Sequence, residues 1–115
     1  TAVIADFGNN AGLIVGPEIR DWPTRALDGL TCITSINGIE AGRGSAADIL
    51  GGPLEALRFL LSHCAERGRP LRKGMYVSTG AVTGIHDIMA GQSGRADFGT
   101  LGRIICHAVQ AAAQA

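Results

Sequence analysis

Apolar residues recur at helical spacing in one stretch of this chain and in short strand-like runs elsewhere. Leu54, Leu57, Leu60, Leu61 and Cys64 make one stripe of a helix from Pro53 to about Arg67, with Glu55, Arg58, Ser62 and Glu66 on the other side. Pro53 suits the first turn, where its missing N–H costs no hydrogen bond, and Gly68 followed by Pro70 ends the helix. The strand-like runs are Val3-Ile4-Ala5, Leu13-Ile14-Val15, Leu30 to Ile36, Ile39 to Arg43, Met75 to Ser78, Arg95 to Phe98 and Arg103 to Val109. Asn37-Gly38 sits between two of them. A type I′ turn needs positive φ at both central positions, so this dipeptide predicts an antiparallel hairpin of Leu30–Ile36 with Ile39–Arg43. Arg20 to Arg25 is a mostly polar loop carrying Trp22. Together the pattern predicts an α+β chain with six or seven short strands and one main helix.

Composition narrows the partners. Ten basic and ten acidic residues cancel, so no basic face is implied and nucleic acid is a poor partner. The apolar fraction of 46% allows a core. Seventeen glycines, about twice the usual share of roughly 7%, point to many turns and close backbone approaches. Cys32, Cys64 and Cys106 are odd in number, widely spaced and set among apolar residues, which reads as buried free thiols in a reducing, cytoplasmic compartment. No apolar run reaches the ~20 residues of a membrane span. Thr1 is not an initiator methionine, and Ala2-Val3-Ile4-Ala5 begins mid-pattern, as though more chain preceded it.

The segment from Lys73 to Gly84 carries the strongest sign of a ligand. An apolar run enters it and leaves through Ser78-Thr79-Gly80-Ala81-Val82-Thr83-Gly84. Glycine lets backbone approach a bound molecule, and Ser78, Thr79 and Thr83 offer hydroxyls to orient one. Asp6 ends an apolar run and leads into Phe7-Gly8-Asn9-Asn10; it is either a strand-capping Asx turn or a group that recognises a polar ligand. His86-Asp87 follows the glycine-rich stretch as a surface pair or as part of a lid. His63-Cys64 and Cys106-His107 are neighbours on regular elements and diverge, and the carboxylates are scattered, so no metal site is predicted from these residues. Gly42-Arg43-Gly44-Ser45 lacks the Gly-Lys-Ser/Thr of a phosphate loop, and Ser78 lacks the flanking glycines of a nucleophile elbow.

In order along the chain stand Ile4-Ala5-Asp6, Gly12-Leu13-Ile14-Val15-Gly16, Gly42-Arg43-Gly44-Ser45, Gly51-Gly52-Pro53-Leu54-Glu55-Ala56-Leu57, Gly68-Arg69-Pro70-Leu71, Ser78-Thr79-Gly80-Ala81 and Phe98-Gly99-Thr100-Leu101-Gly102. In that order and spacing the chain resembles the C-terminal half of the 2-keto-4-pentenoate hydratases and 4-oxalocrotonate decarboxylases, within the fumarylacetoacetate hydrolase superfamily. The resemblance runs from about Val3 to Val109. It implies that residues 1–109 are the C-terminal part of a hydratase-like catalytic domain and residues 110–115 a tail. The fold it implies is a mixed, rolled β-structure, fumarylacetoacetase C-terminal-like, with one main helix, in a homo-oligomer.

It also implies a lyase that hydrates 2-hydroxy-2,4-dienoates, or decarboxylates 2-oxo acids, through a metal-stabilised enolate with Mg²⁺ or Mn²⁺. A non-catalytic partner subunit is the alternative of another class. The family's acidic metal ligands and its lysine lie upstream of every matched motif, so the chain alone is expected to be incomplete, needing an N-terminal half or a partner chain. The groups carried over form a substrate-side wall for a small 2-oxo or 2-hydroxydienoic acid: Asp6 and Asn10 in the catalytic role, with Asn9, Ser78, Thr79 and Gly80 binding substrate. Phe7 stands where similar hydratases place an Asn, which leaves the substrate-facing role open between Asn9 and Asn10.

Overall fold

The computed structural model describes residues 12–112. The expected strand at Val3-Ile4-Ala5 and the residues Asp6, Asn9 and Asn10 lie outside them. Within them, four strands form one sheet: β1 (Thr31–Ile36), β2 (Ile39–Ser45), β3 (Ser93–Asp97) and β4 (Arg103–His107), in the order β2-β1-β3-β4. All three pairings are antiparallel. One α-helix, α1 (Pro53–Glu66), stands between β2 and β3 in sequence, and four short 3-10 turns punctuate the loops. The chain is therefore α+β, as its pattern predicts.

The hairpin forms where Asn37-Gly38 predicts it. Asn37 has φ 49° and Gly38 φ 80°, and Ile36 pairs with Ile39 across the two-residue loop. Asn37 also fastens β3. Its N–H donates to the Ser93 carbonyl at 2.9 Å, and its Oδ1 accepts from the Ser93 N–H at 2.8 Å. The register slips between Thr34 and Ser35, where Ala41 is left without an opposite residue.

Helix α1 ends in a Schellman motif. The Gly68 N–H donates to Ala65 O at 3.0 Å, the Arg69 N–H donates to Cys64 O at 2.9 Å, and Gly68 takes φ 72°. Of the predicted stripe, Leu57, Leu60 and Cys64 are half-buried, but Leu54 and Leu61 are exposed, together with Phe59. The helix is amphipathic in sequence, while the described chain covers only part of its apolar side.

Two expected strands are absent. Leu13-Ile14-Val15 and Met75 to Ser78 join no strand ladder among the described residues. Ile14 instead lines a cavity together with Phe98 and Ile104. A strand is a hydrogen-bonded pairing, so an apolar run without a partner strand forms none. The last two predicted runs, Arg95 to Phe98 and Arg103 to Val109, end early for a local reason. β3 stops at Asp97, because Asp97 Oδ1 accepts the Gly99 N–H at 2.9 Å and turns the chain into a short 3-10 segment. The ladder of β4 ends at the His107–Ser93 pair, after which the Ala108 N–H donates to Gln92 O at 2.9 Å and the Ala108 carbonyl accepts from the Gly91 N–H at 2.8 Å. Residues 110–112 form no helix.

Of the three thiols only Cys32 is buried; Cys64 is half-buried and Cys106 exposed, since the surfaces they were expected to face are not present among the described residues. The same openness shows in the whole. The chain exposes 9349 Å², against roughly 5,900 Å² for a compact monomer of its mass. Its radius of gyration is 16.2 Å, against about 13 Å for a compact domain of this length.

Candidate functional site

The inner face of the sheet is lined with small side chains. Cys32 and Thr34 on β1 stand opposite Gly44 and Gly42 on β2, and on the other side Thr34 and Ile36 stand opposite Ala96 and Gly94. Opposite residues share a face of the pleat. Across this face runs the segment that leaves the Ser78-Thr79-Gly80 turn. A Cβ at Gly44 would sit 2.0 Å from the Val82 carbonyl oxygen, and one at Gly42 would sit 2.1 Å from that of Thr83. Only glycine permits this approach of backbone to backbone. Two glycines of the Gly42-Arg43-Gly44-Ser45 stretch thus seat another segment of the same chain. Ser45 and Asp48 close a capping box at the following turn.

The segment is fastened by one polar contact. Thr34 Oγ1 and Thr83 Oγ1 are 2.9 Å apart and share a hydrogen bond. The Thr83 hydroxyl, offered by the sequence as a ligand-facing group, is therefore engaged within the fold. The His86 ring lies over Gly42, with Nε2 enclosed and without a hydrogen-bond partner among the described residues. His86 is half-buried rather than a surface residue.

Ahead of that contact, Thr79 and Gly80 line a cavity of about 270 Å³, together with Thr31, Cys32, Val82 and Phe98. Gly80 has φ 109°, and the space where a Cβ would project is open. Neither the Gly80 N–H nor the Thr79 hydroxyl takes a hydrogen-bond partner among the described residues. Two donors thus sit side by side on the wall of a mostly apolar cleft. Ser78 is exposed and outside this lining. Burial pushes the Cys32 thiol up from its ordinary pKa. At neutral pH it is a protonated wall of the cavity and not a thiolate nucleophile.

A larger cavity of about 540 Å³ lies between Trp22, Leu27 and the start of α1. Its single charged lining residue, Arg25, is held by Asp21 at 3.0 Å, so it offers an acid no free cation. Among the described residues no group of three His, Cys, Asp or Glu side chains could hold a metal ion. The described residues therefore do not fit the Mg²⁺ or Mn²⁺ that the resemblance implies. No described helix is long and apolar enough to cross a membrane.

No family model matches the chain. It is, however, 30% identical over 102 residues to a 4-oxalocrotonate decarboxylase of Pseudomonas sp., an alignment covering 89% of this chain and 39% of that protein. A 4-oxalocrotonate decarboxylase of Pseudomonas putida is 26% identical over 103 residues, covering 90% of this chain and 39% of that protein. The chain is thus similar to the 4-oxalocrotonate decarboxylases, which supports its resemblance to the C-terminal half of that family. A third member, from Pseudomonas sp. strain CF600, is 26% identical over 92 residues, covering 80% of this chain and 35% of that protein. The chain thus spans about two fifths of the length of the curated decarboxylases it matches, and its place as a C-terminal part of the family agrees with the motif order.

Proposed function

We propose that this chain supplies one wall of the substrate site in a cytoplasmic lyase acting on a small 2-oxo acid, with decarboxylation of a 4-oxalocrotonate-type substrate as the reaction. The observation that carries this reading is the pairing of an unengaged Thr79 hydroxyl with an unengaged Gly80 N–H on one cavity wall. When such an acid loses CO₂, the bond to the departing carboxylate breaks and its electron pair stays with the carbon skeleton. Conjugation carries that charge to the keto oxygen, and the enolate then takes up a proton. Two fixed donors in an apolar cleft stabilise an oxygen that gains charge in this way. Val82 and Phe98 put apolar surface beside both donors, which strengthens hydrogen bonds made there.

Hydration of a 2-hydroxy-2,4-dienoate is the second reading. It is favoured by the Ser78-Thr79-Gly80-Ala81 motif in its hydratase-like order, and it would use the same two donors, since it too passes through an enolate at the 2-oxo group. In either reading Mg²⁺ or Mn²⁺ would be held by acidic residues outside the described chain, with Asp6, Asn9 and Asn10 completing the opposite wall. The sheet would be one portion of a fumarylacetoacetase-like roll, closed by the rest of the protein. The exposed apolar residues, Phe59 at 66% and Tyr76 at 74% among them, support a chain that associates, because patches of this kind are buried in partners. A light-scattering mass of one chain at micromolar concentration would count against the association.

The test of function is Thr79→Val in the full protein, assayed on 4-oxalocrotonate and on 2-hydroxy-2,4-pentadienoate by ultraviolet absorbance. Loss of one oxyanion donor costs about 10²-fold in kcat, and that loss is the expected result with whichever substrate is turned over. Unchanged turnover of both would remove Thr79 from the site.

A further inference from the structure

We propose that Thr34 and Thr83 form a latch that positions Thr79 and Gly80, a role that rests on the cavity reading above. Three observations lead to it. First, from residue 76 to residue 88 the hydroxyl pair at 2.9 Å is the sole hydrogen bond recorded for the segment, whose backbone N–H and carbonyl groups bond to nothing else among the described residues. Second, the latch closes four residues beyond Thr79, and the intervening Val82 already lies on the cavity wall. Third, Gly42 and Gly44 remove the side chains that would hold the segment off the sheet, so the backbone lies against β2 with no room to shift toward it. Steric contact thus sets the depth of the segment on the sheet, and the hydroxyl pair sets its position along β1.

Position matters here because the two donors act on one small atom. A displacement of about 1 Å in a positioning element can cost as much as 10²-fold in rate. Thr34 and Thr83 touch no substrate in this reading; they act through Thr79 and Gly80. Either hydroxyl can donate, so the latch needs one donor and one acceptor but not the threonine methyl groups. That separates a hydroxyl latch from simple packing: serine retains it and valine, which keeps the shape, destroys it.

The experiment compares Thr83→Val, Thr83→Ser and Thr79→Val in the full protein, with two readouts. The first is kcat and KM on 4-oxalocrotonate. Thr83→Val is expected to lower kcat about tenfold with KM within twofold, and Thr83→Ser to restore kcat to within twofold of the parent. The second needs no substrate. Cys32 lies under the segment on the same cavity wall, so its alkylation by iodoacetamide, followed at the Cys32 peptide by mass spectrometry, is expected to quicken at least fivefold in Thr83→Val and to stay at the parent rate in Thr83→Ser. Equal alkylation rates in the parent and Thr83→Val overturn the latch, as does a serine variant as impaired as the valine one. A harmless Thr79→Val, by contrast, overturns the cavity reading itself, whatever the alkylation of Cys32 shows. A damaging Thr79→Val beside a harmless Thr83→Val leaves the cavity reading intact and removes the latch.

Discussion

The Asn37-Gly38 hairpin and the segment from residue 76 to residue 88 lie against each other and are held by opposite means. The hairpin carries its own partners. Each strand satisfies the other, the turn residues take the positive φ their types allow, and Asn37 adds two hydrogen bonds to β3. The segment across its face owns one side-chain hydrogen bond and a pair of glycine seats. β1 and the Met75 to Ser78 run that enters the segment both have strand-like sequences, so local pattern does not separate them. What separates them is whether the pairing partner lies nearby in the chain. The stiff element provides the reference surface, and the weakly held one carries the groups assigned to the ligand, an arrangement in which binding groups sit on a loop placed by a rigid scaffold.

The contrast breaks most sharply at Gly44. Valine is a good strand residue, so Gly44→Val leaves the pairing with Cys32 intact and favours β2 by propensity. Its Cβ, however, falls 2.0 Å from the Val82 carbonyl oxygen and 3.0 Å from Asp48 Oδ2. The segment must lift away, at a cost of about 3 kcal/mol in the overpacked state. The expected outcome is a protein that keeps its β-sheet circular dichroism, loses turnover, and is cleaved by a protease within residues 76–88. A fully active Gly44→Val would show that the segment does not need its seat.

The sequence made the hairpin, α1 and its glycine stop legible, because each rests on local chemistry: an Asn-Gly turn, a proline at the first turn, and a glycine with φ 72° at the end. The substrate-binding role given to Thr79 and Gly80 rests on the resemblance, while the structure sets both on one cavity lining. The sequence missed the two absent strands and the degree of exposure of Leu54, Leu61 and Cys106, since these depend on surfaces that no local pattern encodes. The Thr34–Thr83 bond was out of reach for the same reason, joining residues 49 positions apart. The seats at Gly42 and Gly44 did leave a trace. Glycines alternating with other residues in a strand mark close backbone approach, and Gly42-Arg43-Gly44 carries that pattern. Asp6, Asn9 and Asn10 fall outside the described residues, so their half of the site rests on the resemblance alone.

A smaller effect sharpens the stiff side of the comparison. Gly38 has φ 80° and nothing within 4 Å of a Cβ, so Gly38→Ala meets no clash and costs only the strained backbone, about 1 kcal/mol. Thermal unfolding should fall by a few degrees, with the cavity donors and turnover unaffected. A loss of activity larger than the loss of stability would mean that the hairpin is coupled to the segment more tightly than one hydroxyl pair allows.

The smallest effect concerns the end of β3, at Asp97. The Gly99 N–H, first, and the Arg95 guanidinium hold its carboxyl below the usual carboxylate range. A group whose pKa is depressed on folding stabilises the fold above its unfolded value, near 3.9, and loses that contribution as pH falls through the lower folded value. Asp97→Asn retains an oxygen for the Gly99 N–H but drops the charge opposite Arg95, on a surface where such pairs contribute little. Near neutral pH the variant should unfold at a slightly lower temperature than the parent, and the gap should close as pH falls past the unfolded carboxylate value and through the lower folded one. The acid limb of the stability curve is therefore the measurement that decides it. A gap that persists unchanged at low pH would assign the effect of Asp97 to the shape of the turn after β3 rather than to its charge, and the turn would then join the hairpin among the parts of this chain fixed by local geometry.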